Sequence, residues 1–153
     1  MEMITCTRRV QFCAGHRVLR HEGKCAHPHG HNYVALFTAT TDALDDVGRV
    51  IDFSVLKDKL GGWIEKNWDH GFIYFDEDED MRNIFTEGAI DRWKAFAMPS
   101  NPTAENMAHF LLHEVAPFVL AGSGVKVIEV RLWETENCYA TARLESCGLI
   151  PVE

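Results

Sequence analysis

The sequence predicts one α+β domain in which two strands, two helices and two further strands follow one another. Three segments alternate apolar and polar residues as half-buried strands do, namely residues 4–16, 31–41 and 125–134. Two segments repeat apolar residues at helical spacing, one after Asp52 and one after Pro102. Of the 153 residues, 46% are hydrophobic and 25% charged, so we expect residues 1–153 to form a single domain with one core.

The first two strands are predicted to pair as neighbours, because only a short loop containing glycine and proline separates them. Even-numbered residues of the first strand, including Phe12, Ala14 and His16, are predicted to share one face. On the second strand, the residues predicted to share one face are Tyr33, Ala35, Phe37 and Ala39.

The two helices have recognisable starts and apolar stripes. Asp52 can cap the first helix, and the Pro-Thr-Ala-Glu-Asn segment from Pro102 opens the second. Gly61-Gly62 weakens the middle of the first helix, and Pro117 marks the last turn of the second. The residues predicted to face the core are Phe53, Leu56, Leu60 and Ile64, followed by Met107, Phe110, Leu111 and Val115.

The last two strands are predicted to form a hairpin around the Glu136-Asn137 turn, with residues 138–144 as the return strand. Ile128, Val130 and Leu132 are predicted to share the apolar face of the strand 125–134. Between the two helices, residues 80–98 are predicted to form an extra short helix. We interpret residues 76–98, which begin with five consecutive acidic residues, as an insertion.

Charge and composition exclude some classes of protein. The formal net charge of -8 disfavours a nucleic-acid binder, although Arg17, Arg20 and Lys24 could form a local site for a small anion such as a triphosphate. The sequence has no run of 18 apolar residues, and its first residues lack the pattern of a signal peptide, so we expect a cytoplasmic protein that does not enter a membrane. Five scattered cysteines are expected to be free thiols.

Histidines are concentrated around the loop between the first two strands, where five of the eight fall within sixteen positions. His29 and His31 alternate at the start of a strand, so they point to one face, and His16 ends the preceding strand. Three neutral imidazoles with an open fourth position are what zinc needs as a Lewis acid. Cys25 could instead close the site as a fourth ligand of a structural zinc, and both interpretations stay open.

Two further sets of residues are candidates for chemistry. Glu134 continues the apolar face of its strand, so a carboxylate there needs a partner, such as a flat heterocycle with adjacent N–H groups, unless it turns to water at the strand end. Asp69-His70 can form a pair in which the carboxylate orients the imidazole for proton transfer. His109 and His113, four residues apart, are interpreted as part of a solvated helix face.

Six motifs together resemble those of a known family. They are Phe12-Cys13-Ala14-Gly15-His16, Cys25-x3-His29-Gly30-His31-Asn32, Ile51-Asp52-Phe53, Trp68-Asp69-His70, Asn101-Pro102-Thr103-Ala104-Glu105-Asn106 and Trp133-Glu134-Thr135. Their order and spacing strongly resemble the 6-pyruvoyl-tetrahydropterin synthase and 6-carboxytetrahydropterin synthase family over nearly the whole chain. The resemblance implies the tunnelling fold (T-fold), a four-stranded antiparallel sheet with two helices on one face. It also implies homohexamers, built as dimers of trimers, with active sites between subunits.

The same resemblance implies roles for individual residues. His16, His29 and His31 would bind zinc, and Cys25 would be the catalytic thiolate. Asp69 and His70 would form a catalytic proton relay supplied by an adjacent subunit. Glu134 would anchor the pterin ring at the catalytic centre, with Thr103 and Glu105 assisting, although Glu105 could instead support the helix start.

The function implied is the zinc-dependent conversion of 7,8-dihydroneopterin triphosphate to 6-carboxy-5,6,7,8-tetrahydropterin, acetaldehyde and triphosphate, in queuosine and 7-deazapurine biosynthesis. The short Cys-x3-His-Gly-His spacing resembles this carbon-carbon lyase more than the sister enzyme, which forms a pyruvoyl product and keeps the side chain. A catalytically inactive, zinc-stabilised binding module is the alternative from another class. The sequence departs from the family pattern at Gly71, where a second histidine is common, and in the long stretch 75–99.

Overall fold

A six-stranded mixed sheet organises the part of the chain that the computed structural model describes, residues 2–87 and 93–145. In chain order the strands are β1 (Thr5–His16), β2 (His29–Thr41), β3 (Gly71–Phe75), β4 (Ala95–Met98), β5 (Val125–Thr135) and β6 (Cys138–Arg143). Across the sheet they lie in the order β4-β3-β1-β2-β5-β6. β3 is parallel to both of its neighbours, and the remaining pairs are antiparallel.

Three helices occur within these residues, and each contains one turn of wider, π-type hydrogen bonding. Helix α1 consists of Phe53–Leu56, Lys57–Gly61 and Gly62–Asn67; α2 of Glu79–Arg82 and Asn83–Glu87; and α3 of Ala104–Phe110, Leu111–Val115 and Ala116–Val119. A 3-10 turn, Lys24–Ala26, lies between β1 and β2. No helix in the described residues has the length and apolar character needed to cross a membrane.

Both long helices start where the sequence predicted, the first at the capping residue Asp52 and the second within the Pro-Thr-Ala-Glu-Asn segment. The Asp52 side chain accepts a hydrogen bond from the Ser54 backbone N–H (2.8 Å), and Thr103 Oγ1 accepts one from the Asn106 N–H (3.1 Å). Such side chains satisfy amide groups that the first turn of a helix leaves without partners. The cap at Thr103 matters for the site, because it fixes where the chain changes from loop to helix.

The core lies between one face of the sheet and helices α1 and α3. Phe12 and Tyr33 face each other across β1 and β2, and their rings stack with centroids 5.0 Å apart. The predicted stripes of both helices are buried in this core, with two differences: Phe53 is 54% exposed, and Phe110 is only partly buried. Phe53 is the first residue of α1, where the helix has not yet turned onto the sheet.

The predicted inward face of β5 is wrong at one position. Ile128 is half-buried, whereas its neighbour Val127 faces the core with Val130 and Leu132. Thr38 pairs with Glu129 and Ala39 with Val127, so Ile128 is the extra residue of a β-bulge. A bulge shifts the side-chain alternation by one residue, which strict period-two counting does not detect.

The sheet has two more strands than the predicted ββααββ order of four. β3 and β4 extend it beyond β1, and β4 occupies the end of the segment that was predicted to be helical up to residue 98. The start of the helix predicted over residues 80–98 is present, since α2 runs from Glu79 to Glu87. Residues 88–92 of that prediction lie outside the described residues. That residues 76–98 are an insertion, and that residues 146–153 belong to the same domain, stay predictions.

Candidate metal centre and active site

Three histidines converge where β1 ends and β2 begins. The antiparallel register pairs His16 directly with His29, and His31 follows two residues later on the same face of β2. One ligand nitrogen from each ring lies within 4.8 Å of those of the other two, and the closest contact joins the Nε2 atoms of His16 and His29 at 3.1 Å. The convergence expected from the alternation of His29 and His31 is therefore present.

Hydrogen bonds to backbone carbonyls fix the orientation of two of these rings. His16 Nδ1 lies 2.7 Å from the Pro102 carbonyl oxygen, and His29 Nδ1 lies 2.6 Å from that of His27. A carbonyl only accepts, so both Nδ1 atoms carry a proton. In the neutral form of both rings, the Nε2 lone pairs face each other at 3.1 Å, an arrangement that a cation between them would stabilise.

The third histidine leaves a buried nitrogen unpaired. His31 Nε2 is buried and has no hydrogen-bond partner in the described part of the chain, although Glu134 Oε1 lies 3.3 Å away. Burial lowers the pKa of His31, and the Glu134 carboxylate opposes that shift. Burial also lowers the pKa of His16 to about 4, with nearby His29 and His31 adding to the effect and the Pro102 bond opposing it.

This arrangement fits a metal ion. At neutral pH, His16 and His31 are uncharged and can donate nitrogen lone pairs, and the described residues provide no hydrogen-bond partner for the buried Nε2 of His31. Carbonyl groups that accept from the second ring nitrogen are the usual supports of metal-binding histidines. The cluster could therefore hold a metal ion through three imidazoles, a donor set that suits zinc and related transition metals.

Cys25 lies in the 3-10 turn between the two histidine-bearing strands. Its carbonyl accepts a hydrogen bond from the Val18 N–H (2.7 Å), and its side chain is half-buried. It is not a member of the cluster formed by the three histidines. Both predicted roles of Cys25, catalytic thiolate and fourth ligand of a structural zinc, stay predictions.

Asp69 and His70 form a pair elsewhere in the chain. His70 Nδ1 lies 2.9 Å from Asp69 Oδ2, and both side chains lie beside Cys13. Cys13 is an odd-numbered residue of β1, so it points to the face of the sheet opposite to His16. Within residues 2–87 and 93–145, Asp69 and His70 make no hydrogen bond or ion pair with Cys25 or the three histidines.

The loop before α3 supports the histidine cluster. Pro102 supplies the carbonyl that orients His16, and Asn101 exchanges two 2.9 Å hydrogen bonds with the backbone of Leu19. Thr103 caps the helix, while Glu105 is exposed in its first turn. The Asn-Pro-Thr segment therefore has a clear structural role, and the roles of Thr103 and Glu105 toward a substrate stay predictions.

One functional group that the sequence did not single out is the Tyr33 hydroxyl. It is fully buried without a hydrogen-bond partner in the described residues, and its ring lies 5.5 Å from that of His31. Burial raises its pKa, and the nearby Glu134 and Cys25 raise it further, so the hydroxyl keeps its proton. From the sequence, Tyr33 was predicted to be a core residue. Its position two residues after His31, on the same face of β2, is the sequence feature that could have indicated its place near the site.

Of the three basic residues predicted to form an anion site, Arg17 is already bound to carboxylates of the chain. The Arg17 guanidinium donates two 2.6 Å hydrogen bonds to Asp78, whose side chain is 1% exposed, and a third to Asp80 at 3.2 Å. Arg17 therefore holds the acidic segment, residues 76–80, against the end of β1. Because its guanidinium is bound there, the structure does not support a part for Arg17 in triphosphate binding. Arg20 and Lys24 are exposed.

Replacing Asp78 by alanine is expected to lower the free energy of unfolding by about 3 kcal/mol, because it removes the buried carboxylate that accepts two of the three hydrogen bonds of the largely buried Arg17 and leaves only the exposed Asp80 as its partner. It also removes the side chain that accepts from the Met81 N–H at the start of α2. Burial raises the pKa of Asp78, but hydrogen bonds and charge from Arg17 outweigh it and hold the pKa below 3.8. The stabilisation by the carboxylate is therefore present at neutral pH and disappears as the pH falls below about 3.8. Urea unfolding of both proteins across this range measures the difference.

The exposed residue Asp76 provides the control for Asp78. Asp76→Ala removes the same charge from the same segment and is expected to change stability by less than about 0.5 kcal/mol. Equal losses in the two variants would contradict a specific Arg17–Asp78 pair.

Comparison with known proteins gives consistent matches over most of the chain. A family model described as 6-pyruvoyl tetrahydropterin synthase matches residues 5–145. The chain is 40% identical over 137 residues to the 6-carboxy-5,6,7,8-tetrahydropterin synthase of Rickettsia felis, covering 90% of this chain and 98% of that protein. It is 33% identical over 162 residues to the protein of the same name from Aquifex aeolicus, covering 91% and 97%.

Solved structures confirm the fold. An uncharacterised protein from Wolinella succinogenes superposes with a TM-score of 0.80 at 22% identity, covering 95% of this chain and 100% of that one. The 6-pyruvoyl tetrahydropterin synthase of Plasmodium vivax superposes with a TM-score of 0.68 at 21% identity, with the same coverage. At these identities the likeness concerns the fold alone, and it confirms the predicted α+β T-fold.

Proposed function

Because the chain belongs to the 6-pyruvoyl tetrahydropterin synthase family, we propose that it converts 7,8-dihydroneopterin triphosphate to 6-carboxy-5,6,7,8-tetrahydropterin, acetaldehyde and triphosphate. Support for this product comes from the relatives at up to 40% identity that carry the name 6-carboxy-5,6,7,8-tetrahydropterin synthase. The short spacing between Cys25 and His29 supports the same branch. The product would serve queuosine and 7-deazapurine biosynthesis.

One observation carries the metal dependence of this proposed reaction. The Nε2 atoms of His16 and His29 face each other at 3.1 Å, next to the buried Nε2 of His31, which has no hydrogen-bond partner among the described residues. We assign zinc to these three nitrogens. When bound there, zinc supplies Lewis-acid polarisation of the hydroxyls on the side chain of the substrate.

The remaining chemistry belongs to residues of the chain. Glu134, 3.3 Å from His31 and partly buried, can accept hydrogen bonds from adjacent N–H groups of the pterin and so hold the ring next to the histidines. Cys25, half-buried on the turn beside them, accepts a proton as its thiolate. His70, paired with Asp69, carries protons to and from the reacting side chain while triphosphate leaves and the carbon-carbon bond breaks.

In this proposed mechanism, one active site takes its residues from more than one subunit. Asp69 and His70 lie beside Cys13 on the face of the sheet opposite to His16, so they reach Cys25 only if a neighbouring copy supplies them. We therefore propose a homo-oligomer, a hexamer made of two trimers, with Thr103 and Glu105 assisting Glu134 at the pterin.

The direct test is to incubate the zinc-loaded protein with dihydroneopterin triphosphate and identify the pterin products and acetaldehyde by mass spectrometry. Carboxytetrahydropterin together with acetaldehyde is the expected result. A pyruvoyl product without acetaldehyde would assign the sister reaction, which the description of the matching family model names. Absence of turnover would favour an inactive binding module.

A further inference from the structure

A second cluster of metal-ligating side chains lies apart from the three histidines. It consists of Cys13, Asp69 and His70, whose ligand atoms all lie within 4.8 Å of one another. The Cys13 sulfur is 3.8 Å from Asp69 Oδ1 and 3.7 Å from His70 Nδ1, and His70 Nδ1 is 2.9 Å from Asp69 Oδ2. Thiolate, carboxylate and imidazole are the three kinds of side-chain ligand that bind zinc in proteins.

The backbone holds these three residues in place. The Cys13 N–H donates to Asp69 Oδ1 (3.0 Å), and the Cys13 carbonyl accepts from the His70 N–H (2.7 Å). Lys94 fixes the same turn by donating to the backbone carbonyls of Glu65 and Asp69. His70 has a φ of 58°, a left-handed conformation that few residues other than glycine adopt and that the surrounding bonds must maintain.

The spacing suits a bound cation better than a hydrogen-bonded nucleophile. Metal–ligand distances of about 2.0–2.3 Å at tetrahedral angles separate neighbouring ligand atoms by about 3.3–3.7 Å. The two separations from the Cys13 sulfur, 3.8 Å to Asp69 Oδ1 and 3.7 Å to His70 Nδ1, lie at the upper end of that range. The 2.9 Å between His70 Nδ1 and the other oxygen of Asp69 is the length of a hydrogen bond, which a bound ion would replace. By contrast, the sulfur is nearly equidistant from His70 Nδ1 and Nε2 (3.7 and 3.6 Å), so it lies off the lone-pair axis of each nitrogen and is not arranged as a thiol activated by a base.

The site is also accessible. In the single chain the His70 side chain is 78% exposed, so solvent can supply a fourth ligand. A cavity of about 370 Å³ borders Cys13 and His70, together with Gly15 and Asn32. The pKa of Asp69 is lowered by hydrogen bonds from Cys13 and His70 despite its burial, so its carboxylate is ionised at neutral pH.

From this geometry we propose that Cys13, Asp69 and His70 form a second binding site for a divalent transition-metal ion of the zinc class. Binding releases the Cys13 thiol proton to solvent. A metal ion bound at this site engages both Asp69 and His70 and thereby inhibits turnover. The inhibition rests on the proposed function, whereas the binding does not.

Titration of the metal-free protein with Co²⁺ tests the site without any turnover. The wild type is expected to bind two equivalents and to develop a thiolate-to-cobalt charge-transfer band in the near ultraviolet. Cys13→Ser should bind one equivalent and lose the band. Cys25→Ser, a change of the other thiol near a cluster, should still bind two and keep it. One equivalent in the wild type, or a band that survives in Cys13→Ser, would overturn the proposal.

A measurement on the unmodified chain guards against misfolding of the variants. With one equivalent of zinc already bound, a second equivalent should slow alkylation of Cys13 by iodoacetamide at least tenfold, as mapped by peptide mass spectrometry. Alkylation of the exposed Cys138 should not change. Unchanged labelling of Cys13 would contradict metal binding there even if the Co²⁺ stoichiometry were two. If turnover is established, excess zinc should inhibit it. Zinc binding without inhibition would still support the metal site and would contradict only its proposed effect on proton transfer by Asp69 and His70.

Discussion

Replacing His29 by alanine is expected to remove one equivalent of metal per chain and to lower turnover by at least about 10³-fold. His29 Nε2 faces His16 Nε2 at 3.1 Å, so its loss takes away one of three nitrogen ligands. A Lewis-acid metal contributes several kcal/mol of transition-state stabilisation, and each 1.4 kcal/mol or so is a factor of ten in rate. His29 is preferable to His16 for this test, because His16 is 1% exposed and its truncation would also open a cavity in the core.

Metal content by elemental analysis, turnover, and thermal unfolding should be measured together on His29→Ala. His27→Ala is the matched control, since its side chain is exposed and only its backbone carbonyl contacts His29. Chelation of the wild type should reproduce the loss of turnover and be reversed by zinc, whereas His29→Ala should not recover. Full metal content and full turnover in His29→Ala would contradict the three-histidine centre.

Much of the central sheet could be predicted from the sequence, because four of its strands alternate apart from the bulge at Ile128. β1, β2 and β5 each bury one face against the helices, and β6 packs alternate residues partly against the core, so period-two patterns locate these strands within a few residues. β3 and β4 have no such pattern. Residues 72–75 are Phe-Ile-Tyr-Phe, a continuous apolar run typical of a strand in parallel pairing, and such a run is too short to distinguish from a linker or a helix start.

The site was predictable to the extent that it depends on strand register. The His29/His31 alternation and the position of His16 at the end of β1 were sufficient to predict that the three rings meet. Contacts between distant segments were not predictable. The Pro102 carbonyl reaches His16 from 86 residues away, and Asp78 reaches Arg17 from 61 residues away, so no local pattern reveals either.

The Arg17–Asp78 pair shows how such a contact changes a functional hypothesis. By sequence, Arg17 lies next to His16, a predicted metal ligand, and is suited to a phosphate. In the structure its guanidinium is bound to carboxylates of the acidic segment, which by sequence alone is an exposed run of charge. The carboxylate neutralises the arginine, so the candidates for triphosphate binding narrow to Arg20 and Lys24.

Replacing Cys25 by alanine is expected to lower turnover by about 10³-fold while leaving metal content and fold unchanged. Proton transfer by a positioned side chain contributes about 10² to 10⁴ in rate, and in the proposed function Cys25 is the group that accepts the proton. The metal should remain, because Cys25 is not among the atoms that lie within 4.8 Å of one another at the three histidines. Turnover, zinc content and thermal stability of the purified variant provide the measurement.

Cys138→Ala is the matched control for Cys25, because it removes an exposed thiol from β6 and should leave all three quantities unchanged. The two interpretations that the sequence left open for Cys25 predict opposite results. If Cys25 were the fourth ligand of a structural zinc, its replacement would release the metal and unfold the chain, since such a site supplies folding energy. If Cys25→Ala kept both metal and full turnover, Cys25 would be neither ligand nor base, and the Tyr33 hydroxyl, buried and unpaired near Glu134, would be the next group to test.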